Sequence, residues 1–155
     1  MRFSMIASIP LLVLSTLTSA APAAIPAAAI DARAASTQIY YLVNCFNNIT
    51  FAAYAEIDYY PAKSLSLAGQ TPSKTAVLST SDSIDYEDGT WKATTPFKAT
   101  VVIGEDAYIA KPGATVGSAT VSTSTTALTC IRLTRFVLYE PKVDEQCYTD
   151  YACQA

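Results

Sequence analysis

The chain has 155 residues, with 10 Lys and Arg, 13 Asp and Glu, and no histidine, for a formal net charge of −3. With no basic cluster to follow a phosphate backbone, ordinary nucleic-acid recognition is excluded. The missing histidine removes Ser-His-Asp and Cys-His catalysis, histidine-dependent ribonuclease chemistry and histidine-ligated metal sites.

The first 20 residues read as a cleavable signal peptide. Arg2 supplies the positive start, an apolar run extends from Met5 to Leu17, and Thr18-Ser19-Ala20 supplies small residues before the cut. The run is too short to span a bilayer and Pro10 interrupts it, so no membrane association is expected after cleavage. Residues 21–35 form an alanine-rich tract with Pro22 and Pro26, read as a pro-segment trimmed near Arg33 or a flexible tail. Residues 36–155 then form one secreted, extracellular domain. The overall apolar content of 51% is inflated by the leader.

Strand signals dominate that domain. Ile39 to Val43 is β-branched and aromatic throughout, as in a strand buried on both faces. Ile49 to Tyr54 and Ile57 to Tyr60 follow, with Asn48-Ile49-Thr50 forming an N-glycosylation sequon in the turn after Cys45. Thr75–Thr80, Ser83–Tyr86 and Thr90–Thr94 are weaker strands, the last two joined by a hairpin at Glu87-Asp88-Gly89. Phe97 to Ile103 alternates, placing Phe97, Ala99, Val101 and Ile103 on one face. Short strands over Ala107–Ala110 and Gly117–Ser122 flank a type II turn at Pro112-Gly113, and Ser122 to Thr126 is a hydroxyl-rich loop. Leu128 to Tyr139 is the longest pattern, with Ile131, Leu133, Val137 and Tyr139 on one face. About seven to nine short strands without a helical period predict an all-β fold, an antiparallel sandwich or barrel.

Four cysteines in a secreted chain predict two disulfides rather than zinc, whose close ligand pairs are missing. Three connectivities are open. Cys45–Cys130 with Cys147–Cys153 is preferred because the last pair closes a short polar loop.

The chemistry left open is that of carboxylates. Glu56 and Asp58 stand at i and i+2 on one face of a strand, flanked by Tyr54 and Tyr60, and two acids suffice for glycoside hydrolysis. The simpler reading makes them a solvated strand face. Asp82, Asp85, Glu87 and Asp88 offer oxygens to calcium, but their spacing is not that of an EF-hand loop and a solvated turn explains them as well. No nucleophile elbow, phosphate loop or dinucleotide fingerprint occurs, and no cofactor is expected. Ten tyrosines, including Tyr40-Tyr41 and Tyr59-Tyr60, are expected to serve mainly as packing, with one of each pair free to face outward.

The alanine-rich leader ending near Arg33, Tyr40 to Cys45, Glu56 to Tyr60 and Cys147 to Cys153 resemble segments of the small cysteine-containing secreted proteins of filamentous ascomycete fungi. That resemblance implies a fungal source and, for some members, an effector role toward a host; it brings no catalytic residues. The resulting expectation is a non-enzymatic, effector-like binding protein whose partner is an extracellular protein or glycan. The alternative is a carbohydrate-active protein using Glu56 and Asp58.

Overall fold

A computed structural model describes residues 37–155. The expected signal peptide over residues 1–20 and the alanine-rich tract over 21–35 lie outside the described residues. Eight strands form one antiparallel sheet: β1 (Ile39–Asn47), β2 (Ala53–Tyr60), β3 (Lys74–Ser79), β4 (Gly89–Ala93), β5 (Ala99–Ile103), β6 (Thr115–Val121), β7 (Leu128–Lys142) and β8 (Glu145–Gln154). Their spatial order is β3-β2-β1-β8-β7-β6-β5-β4, curled into a nearly closed barrel. One short helix, α1 (Lys63–Leu67), lies between β2 and β3.

The continuous apolar run at the start of β1 explains why this strand sits near the middle of the sheet. Tyr40 and Leu42 enter the barrel interior with Ile57, Phe97, Val101, Ile103 and Tyr151. Ile39, Tyr41, Val43 and Cys45 point the other way, into a second core with Tyr60, Leu138, Tyr139 and Cys147, against which Leu65 of α1 packs. Period-two alternation therefore feeds two apolar compartments from one strand. It also buries both members of Tyr40-Tyr41, and Tyr59 packs inside while Tyr60 is fully buried, so neither pair offers an outward ring.

The predicted face of β5 is as expected: Phe97, Ala99, Val101 and Ile103 are all buried. Other local expectations need correction. Ile49 to Phe51 belongs to the β1–β2 turn, where Asn47 Oδ1 accepts the Ile49 and Thr50 amides at 2.9 and 2.8 Å and Phe51 takes a φ of 59°. No hairpin forms at Glu87-Asp88-Gly89, because residues 83–86 are tied across the barrel end instead. Asn44 accepts the Ile84 amide at 2.8 Å and donates to the Ile84 carbonyl at 2.9 Å, while the Tyr86 hydroxyl donates to the Val43 carbonyl at 2.9 Å. β4 pairs with β5, and Ala107–Ile109 is a 3₁₀ turn rather than a strand. Gly113 does take the positive φ (88°) of a type II turn, closed by Ala114 N–H to Lys111 O at 3.0 Å. On β7, register shifts after Arg132 and after Val137 turn the strand, so Val137 faces solvent while Leu138 and Tyr139 are buried.

The disulfides are Cys45–Cys147 and Cys130–Cys153, correcting the preferred pairing. Cys147 and Cys153 lie on the same extended strand, about 20 Å apart at about 3.3 Å per residue, too far for a bridge. Antiparallel pairing instead sets Cys45 opposite Cys147 and Cys130 opposite Cys153, each with Cα atoms 4.0 Å apart.

Candidate functional site

Glu56 and Asp58 do share one face of β2, but it is the face that lines the second core. Glu56 is 4% exposed and Asp58 0%, so the solvated-face reading fails. The Tyr139 hydroxyl donates to Glu56 Oε1 at 2.6 Å and the Thr75 hydroxyl donates to Asp58 Oδ1 at 2.8 Å, while Asp58 Oδ2 is buried beside the Glu56 carboxyl with no donor from any other described residue. Two carboxyl groups enclosed side by side avoid burying two like charges only if one keeps a proton. Burial, then the Glu56 charge, pushes the Asp58 pKa well up, so Asp58 is the protonated partner. Burial also raises Glu56, opposed by its bonds from Tyr139 and Asp58. The cluster continues to Glu145, which accepts from the Tyr54 hydroxyl at 2.5 Å and pairs with Lys142 at 3.5 Å. Enclosed in this way, the pair can hold a proton away from bulk water.

Cys45, Glu56 and Cys147 bring potential ligand atoms within 4.8 Å of one another, yet both sulfurs are consumed in a disulfide and cannot bind metal. The acidic segment named as an alternative source of calcium ligands is not drawn into one cluster. Among the described residues no three of Asp82, Asp85, Glu87 and Asp88 converge to that distance. Asp82 is occupied by the Ser81 hydroxyl, and Asp88 takes a φ of 49° at the approach to β4.

Asp85 and Glu87 instead line a cleft of about 660 Å³ at one end of the barrel. Asn44 and Phe46 of β1 form one wall, Tyr108 and Ile84 come from connections, and Arg132, Arg135, Tyr148, Asp150 and Tyr151 come from β7 and β8. Asp150 gathers the two guanidinium groups, Arg132 Nη1 at 3.0 Å and Arg135 Nε at 3.1 Å. Each arginine also lies over a tyrosine, Arg132 at 5.2 Å from the Tyr151 ring centre and Arg135 at 5.9 Å from that of Tyr148. The Tyr151 hydroxyl donates to Glu87, whose pKa is raised by partial burial and by the neighbouring Asp85 carboxyl.

The sequence reading missed this cluster for a physical reason. Arg132 and Arg135, three apart on a regular strand, would point to opposite faces. The register shift between Arg132 and Phe136 lets both reach Asp150. Two arginines inside the largely apolar stretch Ile131 to Tyr139 were the available signal. No protein-family model, curated protein or solved structure matches the chain.

Proposed function

We propose that this is an extracellular, non-enzymatic binding protein, effector-like in the sense of the fungal resemblance, that receives its partner in the cleft at the end of the barrel. The observation that carries the reading is the cleft itself, whose aromatic faces and preordered charges stand side by side. The four polar groups of Asp150, Arg132, Arg135 and Tyr151 are already fixed by mutual contacts, so binding would order few side chains. A leader of signal-peptide pattern and two buried disulfides support an oxidising destination.

The cleft chemistry favours a glycan as the partner. Tyr108 and Tyr148 offer rings for the apolar face of a sugar, while Asp85, Glu87 and Arg135 offer acceptors and donors for its hydroxyls. Catalysis by Glu56 and Asp58 has no support from their burial. Titration calorimetry against soluble cell-wall oligosaccharides is expected to show saturable binding that Tyr148→Ala and Arg135→Ala each weaken at least tenfold. Binding unaffected by both substitutions would remove the cleft from the proposal, and turnover abolished by Glu56→Gln in a folded protein would reverse the non-enzymatic reading.

A further inference from the structure

We infer that the β1–β2 tip is a platform for the protein's own N-glycan, which packs its first sugar against Phe46 and Phe51 and covers an apolar end of the molecule. The inference rests on the export reading, since only a chain on the secretory route meets the glycan donor.

Four apolar side chains collect at this end. Ile49 is 66% exposed, Phe51 75%, Phe46 37%, and Val143 of the neighbouring β7–β8 turn 95%. The two turns are tied together, because the Asn48 amide donates to the Asp144 carbonyl at 2.8 Å. The Phe46 and Phe51 rings stand 6.1 Å apart and tilted by 58°. Contiguous exposed apolar surface of this kind needs a cover or makes the molecule stick to itself.

The sequon supplies a cover on the spot. Asn48 is exposed, and its side-chain amide makes no hydrogen bond to any described residue. Asn47 folds the turn by accepting the amides of Ile49 and Thr50, leaving the Asn48 side chain outside it. Thr50 is exposed too, and its hydroxyl accepts only a long bond of 3.4 Å from the Ala52 amide. Attachment forms a bond from Asn48 Nδ2 to C1 of an N-acetylglucosamine. It breaks the bond from that carbon to the diphosphate of a lipid-linked oligosaccharide donor and releases one Nδ2 proton. With Phe46 two residues before Asn48 and its ring against Phe51 across the turn, the carbon-bound hydrogens of the attached sugar would meet an aromatic face.

The full chain, expressed in a eukaryotic secretory host, tests this. Mass spectrometry of protein from the medium is expected to show a glycan on Asn48, and enzymatic removal of it to lower Tm by about 4 °C and lengthen retention on a hydrophobic column. Thr50→Ala should reproduce the deglycosylated Tm, while Phe46→Ser and Phe51→Ser, still glycosylated, should shrink the difference between the two forms. Secreted protein bare at Asn48 would overturn the platform while leaving export intact, and retention inside the cell would overturn both. An occupied Asn48 with no Tm difference, or a difference unchanged in both phenylalanine variants, would refute the packing.

Discussion

The buried carboxyl pair makes this domain an acid-stable one, and Asp58→Asn isolates the effect. In the unfolded chain Asp and Glu ionise near pH 4. In the folded chain burial raises both Asp58 and Glu56, and neither has a cation among its partners; they face Tyr139, Thr75 and each other, with the Glu145 charge raising Glu56 further. Raised native pKa values mean that the folded state binds more protons than the unfolded state. Their contribution is therefore complete below about pH 4 and is lost as pH rises toward the native pKa of the pair. While the folded pair holds one proton that the unfolded chain has released, stability falls by about 1.4 kcal/mol per pH unit. An asparagine at 58 can still accept from Thr75 through its oxygen and donate to Glu56 through its nitrogen, so the geometry survives without the proton. Urea midpoints measured at half-unit steps from pH 4 to 8 should show the native protein losing stability with that slope, then levelling off. The variant should lose markedly less. Glu87, raised by partial burial, contributes equally to both proteins and cancels in the difference. Native stability that rises from pH 5 to 7, or parallel curves for the two proteins, would show the proton assignment to be wrong.

Peptide mapping of the unreduced protein should recover Cys45 with Cys147 and Cys130 with Cys153. With loop separations of 102 and 23 residues, the chain-entropy relation assigns about 4.7 and about 3.4 kcal/mol to the two bonds. Replacing Cys45 and Cys147 by alanine should thus lower the urea midpoint more than replacing Cys130 and Cys153, because all four sulfurs are equally buried and their cavity costs offset. Tyr139→Phe removes the donor to Glu56 and is expected to cost about 1–3 kcal/mol at neutral pH, less in acid, where Glu56 becomes neutral. Gly117→Ala places a Cβ 2.0 Å from the Val102 carbonyl oxygen of the paired strand. It should destabilise by about 1–3 kcal/mol or prevent folding, read as a lowered thermal midpoint or loss of soluble yield.

The all-β class, the strand β5 with its buried face and the placement of Asn48 in an exposed turn were all readable from the chain, since each depends on local alternation or turn chemistry. What was not readable depends on partners distant in sequence. Glu56 and Asp58 show the limit well. Alternation put them correctly on one face, but whether that face meets water depended on Tyr139 and Leu138 arriving from 80 residues away, after a register shift that no local pattern announces. The disulfide pairing failed in the same way, because proximity along a strand is distance in space. Asp85 and Glu87 were noticed for a metal they do not gather to hold, and their neighbours in the cleft, Arg132, Arg135 and Asp150, acquire meaning only when β7 and β8 lie side by side.

The position of β8 has one more consequence, in the order of assembly. β1 and β7 are not bonded to each other; β8 lies between them and follows both in the chain. As residues emerge one by one, β1 to β3 and β4 to β7 can each pair locally, yet no strand pairing joins the two halves until residues 145–154 are made. Both covalent bridges wait on the same ten residues, which carry Cys147 and Cys153. A chain built in this way completes neither its sheet nor either bridge while β1 to β7 are being made, and an unfinished sheet is the condition a polypeptide needs if it is to be threaded across a membrane before it folds.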